Sequence, residues 1–159
     1  MKFKGLDKFI KKIDKAADRE AKREFSLWLE GMGMTFLELI QDEIIRTETV
    51  DTRRLLNSFD RGDSDNVWSI TSRGLSLEIG TNLNYAIYAN DGHFQKKRWV
   101  PGRWRGDRFE YDPSANTGMM LQEKWIEGSH YWDNALAIFE RLFKKSLERR
   151  FQNWLDTRL

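Results

Sequence analysis

Apolar residues recur at three- and four-residue steps at both ends of this 159-residue chain and alternate in its middle. That change of period limits the class of fold available. From Gly5 to about Thr47 the pattern is helical: Leu6, Phe9, Ile10, Ile13, Ala17, Ala21, Phe25, Trp28 and Leu29 recur with charged residues between them. A second set follows at Phe36, Leu37, Ile40, Ile44 and Ile45. Gly31 and Gly33 interrupt the run, and a glycine costs roughly 1 kcal/mol inside a helix. The spacing therefore predicts two helices, or one long bent helix, with the break at the glycines. Asp51 is placed to cap a short helix over Arg53–Phe59, closed by Arg61-Gly62-Asp63.

Alternation then takes over. Val67, Ser69 and Thr71 oppose Trp68 and Ile70, and after Ser72-Arg73-Gly74 the residues Leu75, Leu77 and Ile79 alternate with Ser76 and Glu78, which predicts a two-stranded hairpin. Residues 82–89 read equally as strand or as a turn of helix, and Asn90-Asp91-Gly92 is a turn signal. Phe94–Tyr111 reads as a long hairpin or extended loop with turns at Pro101-Gly102 and Gly106-Asp107. Met119–Glu127 is short helix or strand. Ser129 then caps a clear final helix whose stripe is Leu136, Phe139, Leu142, Phe143, Leu147, Phe151, Trp154 and Leu155. Helices, then strands, then a helix give an α+β class. The expected architecture is a long N-terminal helix, a small, mostly antiparallel sheet with an extended hairpin arm, and a long C-terminal helix, as one domain over residues 1–159.

With no cysteine, the chain is neither a disulfide scaffold nor a zinc knuckle, and cysteine catalysis is excluded. No apolar run approaches the roughly 18 residues of a membrane span, and the lysine-rich start lacks the apolar core of a signal peptide. A soluble intracellular protein, or one released by lysis, is expected. The net charge of +2 hides segregation: residues 25–93 carry five basic and eleven acidic residues, whereas 94–111 carry six and two. Such a mosaic suits docking between proteins. Seven Trp, ten Phe and four Tyr exceed what a core of this size needs, which points to aromatic residues at an interface.

Catalytic constellations are lacking. His93 and His130 have no sequence partners; Asp91 and His93 sit in what reads as a turn, and His130 reads as a packing residue. Gly31-Met32-Gly33-Met34 lacks the rest of a dinucleotide fingerprint. Asp42 and Glu43 read as a solvated helix face, and the two Arg-Gly-Asp tripeptides as ordinary turns. No enzyme, metal or cofactor is expected. The strongest local anomaly is the stretch 95–108, in which Lys96, Lys97, Arg98, Arg103, Arg105 and Arg108 interleave with Trp99 and Trp104. Three readings stand: a docking arm anchored by Lys97, Arg98, Trp99, Arg103, Trp104 and Arg105; a nucleic-acid surface, with cations on phosphates and indoles on bases; or a solvated hairpin whose Trp residues cover its own sheet. The acidic 25–93 region favours docking, onto an identical neighbour in a contact that closes into a ring if the rotation permits.

The ordered features resemble a known family. Val50-Asp51-Thr52 stands before Leu55-Leu56-Asn57-Ser58-Phe59; a two-strand unit ends in Ile79-Gly80-Thr81; Tyr85-Ala86-Ile87-Tyr88-Ala89 precedes Gly92. Together they resemble the tail components of tailed bacteriophages, the gene-product-10 type of head–tail joining proteins. Asp51, Thr52, Leu55 and Ser58 fall on that family's V-D-T-G-x-L-x-x-S segment, and Tyr85, Ala86, Tyr88 and Gly92 on its Y-A-x-Y-x-x-x-G segment. Arg53 stands where the pattern has glycine, and Tyr131-Trp132-Asp133 replace an aromatic-proline motif. Trp125–His130 look like the version in phages and phage-like elements of Gram-positive bacteria. The resemblance implies a non-enzymatic virion protein of the neck, part of a homo-oligomeric ring between head connector and tail tube, needed for tail completion or head–tail joining. Its implied partners are head connector or adaptor proteins and tail terminator or tail tube proteins, with incidental DNA contact in the lumen and no membrane or small-molecule substrate. Its implied location is the virion, after assembly in the host cytoplasm.

Overall fold

The computed structural model describes residues 11, 19–49, 53–71 and 75–158. They form helix α1 (Arg19–Arg46), a short helix α2 (Arg54–Asn57), a hairpin of β1 (Asn66–Thr71) and β2 (Ser76–Thr81), and helix α3 (Ala86–Asp91). Strands β3 (Gly92–Gln95), β4 (Arg98–Arg105), β5 (Arg108–Tyr111), β6 (Gly118–Leu121) and β7 (Lys124–Glu127) follow, and helix α4 (Tyr131–Arg158) ends the chain. The class is α+β, with long first and last helices and small antiparallel sheets between them. The fold divides into two compact units: residues 1–86 with 131–159, and residues 87–130.

The first unit is built on an antiparallel pair, α1 against α4. Trp28 packs on Phe143 at 5.1 Å between ring centroids, while Phe36, two turns further along α1, packs on Phe139 at 4.8 Å and Trp132 at 5.1 Å. The Trp28 indole N–H donates to Ser146 Oγ at 2.9 Å, and Arg150 reaches the Glu24 carbonyl oxygen at 3.3 Å. On α1 the buried positions are Phe25, Met32, Gly33, Phe36, Leu37, Ile40, Glu43 and Ile44. On α4 they are Tyr131, Ala135, Phe139 and Phe143, one row at four-residue steps, with Leu147 packed at its end. Each fully buried large apolar side chain contributes about 1.5–3 kcal/mol, so this seam dominates the unit. Phe59 joins it, 6.1 Å from Tyr131 and 6.2 Å from Trp132.

Several sequence expectations change here. The break at Gly31 and Gly33 is not made: α1 runs through both. A side chain at Gly33 would collide with Leu77 and lie 2.8 Å from the Trp68 ring and 3.1 Å from Ile79, so its missing Cβ lets β1 and β2 approach the helix. Gly31 faces open space. The expected apolar residues before Ala21 lie outside the described residues, and Ile45 is exposed. In place of Ile45, the face accommodates Glu43, which is 6% exposed rather than solvated. Its carboxylate accepts a bidentate pair from Arg46, Nε at 3.0 Å and Nη2 at 2.6 Å. That hydrogen bonding, opposed by burial and aided by Asn134 and by the charge of Arg46, holds the Glu43 carboxyl below its ordinary value. On α4, Leu142 and Phe151 belong to the expected stripe yet are exposed: Leu142 falls off the four-step row, and Phe151 continues it one step beyond Leu147, past the last buried position.

Caps also differ. Glu48, with φ 54°, ends α1 in a left-handed conformation, and Thr49 N–H returns to the Ile44 carbonyl at 3.0 Å. The expected cap Asp51 and its neighbour Thr52 lie outside the described residues. The N-cap of α2 is Arg53, at φ 62° and ψ 0°, without a side-chain capping bond. This left-handed geometry is what the glycine of the family pattern would supply without strain. Ser129 does not cap α4: its N–H and hydroxyl both donate to the Ala89 carbonyl, at 2.9 and 3.1 Å, tying the end of the β7 connection to α3. His130 precedes α4 at φ 55° and is exposed, its N–H donating to the Asn90 carbonyl at 3.0 Å. The ambiguous 82–89 stretch resolves as the lead-in to α3, which runs on through Asn90 and Asp91 to Gly92.

Three outcomes follow for the stability of the unit by chemical denaturation. Gly31→Ala raises it by about 1 kcal/mol through helix propensity, whereas Gly33→Ala yields no such gain and Gly33→Leu costs several times as much by displacing Leu77 and Trp68. Arg53→Gly raises stability by up to about 1 kcal/mol by relieving the left-handed strain. Since the Glu43 carboxyl titrates lower folded than unfolded, its contribution is full above the ordinary glutamate value and is lost as pH falls through the folded one. Glu43→Gln therefore lowers stability at neutral pH and flattens its acid limb, as acid titration of the melting temperature would record.

Candidate interaction surface

The second unit holds two sheets: β3 with β7, and β5-β4-β6 with β4 in the centre. Strand β4 changes partner midway. Arg98–Pro101 face Leu121–Gly118 of β6, and Gly102–Arg105 face Tyr111–Arg108 of β5, on the other edge. Pro101-Gly102 is therefore not a turn. It is the crossover: the Pro101 carbonyl accepts from Asp112 N–H at 3.2 Å, while Gly102 N–H donates the opposite way, to the Thr117 carbonyl, at 2.9 Å. Pro101 lacks an N–H at the residue where pairing passes from one edge to the other. A Cβ at Gly102 would run into the Glu110 carbonyl oxygen, so the close approach of β5 requires glycine. Gly106, at φ 64°, makes the expected turn with Asp107.

Because side chains alternate along a strand, Trp99 and Trp104, five residues apart, project from opposite faces of β4. Trp104 shares its face with Val100 and Arg98, and with the cross-strand residues Phe109, Tyr111, Met119 and Leu121. Its ring meets Phe109 edge-on at 5.3 Å. Trp99 shares the other face with Arg103 and Arg105, and with Met120, Glu110 and Arg108 across the ladders. Lys97, Arg98, Trp99, Arg103, Trp104 and Arg105 are all exposed, as are Lys96 and Arg108. The stretch 95–108 thus offers two surfaces, one apolar and one basic, where the sequence alone read as a single arm.

The two Trp residues cover their own sheet only in part: Trp99 lies over Gly118 and Trp104 against Phe109, yet Trp99 is 53% and Trp104 57% exposed, and Tyr111 reaches 67%. Within residues 87–130 the buried positions are Asn90, Gly92 and Gly102, none of them a large apolar residue. Backbone pairing and glycine contacts hold this unit in place of a core. Phe94 and Trp125 face each other across β3 and β7 and are also exposed. Asp112 anchors the β5–β6 loop. Its carboxylate accepts from the Ser114 hydroxyl at 2.6 Å and N–H at 2.9 Å, which, with a smaller contribution from the charge of Arg103, holds it below the ordinary range.

The residues that carry the family resemblance are mostly structural in place. Leu55 and Ser58 are buried, and the Ser58 hydroxyl closes α2 onto the Leu55 carbonyl at 2.7 Å. Gly80 pairs with Val67 in the hairpin. Ala86 is buried and its carbonyl accepts from the Tyr131 hydroxyl at 3.1 Å. Gly92, at φ 87°, has the Ile126 carbonyl oxygen 2.6 Å from where a Cβ would stand. Tyr85 and Tyr88 are exposed, Tyr88 lying 6.0 Å from the His93 ring. Asp91 accepts from the Asn90 amide at 2.6 Å. Among the described residues no three His, Asp or Glu side chains converge as a metal site, and no helix is long and apolar enough to cross a membrane. Both Arg-Gly-Asp tripeptides are structural: Arg61 lies over the Trp68 ring at 4.5 Å, Asp63 binds Arg54 at 3.0 Å, and Arg105-Gly106-Asp107 turns β4 into β5. Sequence reasoning missed the apolar cluster of Phe109, Tyr111, Met119 and Leu121; their alternate spacing around a polar loop was the signal.

Over its whole length the chain is similar to two proteins of Bacillus subtilis (strain 168). It is 58% identical to "Uncharacterized protein YqbI" and 51% identical to "Phage-like element PBSX protein XkdI", with 98% of both chains covered in each case. No solved structure matches it. Residues 7–92, more than half of the chain, match the family model described as "Bacteriophage HK97-gp10, putative tail-component", and the chain belongs to that HK97-gp10-like family.

Proposed function

We propose that this phage tail-related protein is a structural, non-enzymatic component of the neck, forming part of a homo-oligomeric ring between the head connector and the tail tube and required for tail completion or head–tail joining. The observation that carries the reading is the apolar face of the β5-β4-β6 sheet. Val100, Trp104, Phe109, Tyr111, Met119 and Leu121 share it, and no large apolar residue of that unit is buried within the chain. A monomer seldom leaves a contiguous aromatic patch open unless a partner covers it. Trp and Tyr at the centre of such a patch are the residue types that dominate binding energy. The neighbours that would cover it are a second copy of the chain, head connector or adaptor proteins, and tail terminator or tail tube proteins. Charge segregation would set register and partner choice more than affinity. Assembly in the host cytoplasm and residence in the finished virion follow from such a role.

The test is complementation. In a phage or prophage lacking this gene, electron microscopy of the lysate is expected to reveal filled heads beside unattached or abnormally ended tails. Supplying the intact gene restores joined particles, and Trp104→Ala with Tyr111→Ala does not, although the purified variant keeps its helical circular dichroism. Normal joined particles from the deletion would reject the neck role. Full rescue by the double variant would reject the apolar face as the docking surface.

A further inference from the structure

The face of the sheet that carries Trp99 has a different chemistry and calls for a different partner. Arg103 and Arg105 project from it along β4, two residues and so about 7 Å apart, and Arg108 stands directly across from Arg105. Like charges placed opposite one another in a ladder are destabilising. One acidic residue shares the face, Glu110, directly across from Arg103 and paired with Arg105 Nε at 2.9 Å between well-exposed side chains. The charge of Arg103 also acts on Asp112, so three cations face one carboxylate on the sheet itself. Lys96 and Lys97 continue the basic character in the connection from β3, and neither they nor Arg108 form an ion pair among the described residues. Apart from Trp99, Pro101 and Met120 the face has no apolar residue, too few to form the dry centre of a protein interface, which excludes charge from its core. Surfaces that bind nucleic acid are, by contrast, polar and strongly positive.

We infer that this basic face binds the sugar–phosphate backbone of double-stranded DNA without sequence preference. Arg103, Arg105 and Arg108 contact phosphates, and the Trp99 indole lies against the adjoining sugar. The contact is independent of the apolar docking face, which lies on the reverse of the same sheet.

Fluorescence anisotropy of a labelled random-sequence duplex, titrated with the full chain, tests this. Three phosphate contacts give an affinity that falls roughly 40-fold between about 50 and 200 mM salt. Arg103→Gln removes one contact and leaves a fall of roughly 12-fold over the same range. The triple variant Arg103→Glu, Arg105→Glu, Arg108→Glu abolishes binding. No binding by the wild-type chain at about 50 mM salt would overturn the inference. Arg103→Gln with the wild-type salt dependence would overturn it as well. Competition by poly-glutamate as effective as by unlabelled duplex would do the same, assigning the face to an acidic protein surface.

Discussion

The contact on which the first unit depends is the aromatic seam between α1 and α4. Two 28-residue helices at opposite ends of the sequence are held together by Trp28 against Phe143 and by Phe36 against Phe139 and Trp132. Tilted and edge-on aromatic pairs at such distances add to plain burial. The seam thus brings together two helices far apart in the sequence to close the first unit. Tyr131 shows how this works in detail: its ring faces Phe59 in the core while its hydroxyl donates to the Ala86 carbonyl, at the point where the chain leaves the unit. A Phe at position 131 would preserve the burial and lose that fastening.

Against this, the second unit follows a different physical plan. Its residues bury backbone, not side chains. Gly92, Gly102, Gly118 and Gly128 each sit where a Cβ would strike neighbouring backbone, so the strands and the α3 end are drawn together more tightly than any side chain would allow. Hydrogen-bonded ladders of four residues contribute modestly on their own. The large apolar side chains are displayed outward, the arrangement of a surface made to be covered.

Much of the scaffold was legible from residue spacing, since the period of apolar residues in α1, α4 and the β1–β2 hairpin answers to burial alone. What the spacing could not show was context. Gly33 reads as a helix breaker because propensity is local, yet its role is set by Trp68 and Leu77, far along the sequence in the β1–β2 hairpin. Glu43 looks solvated to any count of apolar residues, and the bidentate grip of Arg46, with a hydrogen bond from Asn134, makes its burial tolerable. Leu142 fits a helical stripe but lies off the row that α1 covers, whereas Ala135 and Tyr131 lie on it. At Pro101-Gly102 the turn signal is overridden because a strand that trades one partner for another also needs a residue without an N–H and one without a Cβ. The family segments were legible as motifs, and their roles emerged only as buried caps, a tight helix-to-strand junction and a left-handed residue.

The same alternation that hid the surface explains it. A run of six cations and two Trp residues within 95–108 looks like one mixed arm when read in order. Folded as a strand, odd and even positions part, and Trp104 goes with Phe109 and Tyr111 while Trp99 goes with Arg103, Arg105 and Arg108. Separation of this kind removes a conflict. Burying the aromatic cluster against a protein would otherwise drag arginines out of water at a cost that pairing rarely repays in full. With Arg103, Arg105 and Arg108 on the reverse face, only Arg98 at the start of β4 accompanies the apolar side, which a partner can dry around Trp104 while the basic side stays hydrated and free to meet an anion. Only β4 takes part in both pairings of the three-stranded sheet, so it is the strand that fixes both surfaces. Its crossover at Pro101-Gly102 is therefore the local geometry through which any change to one surface is felt by the other.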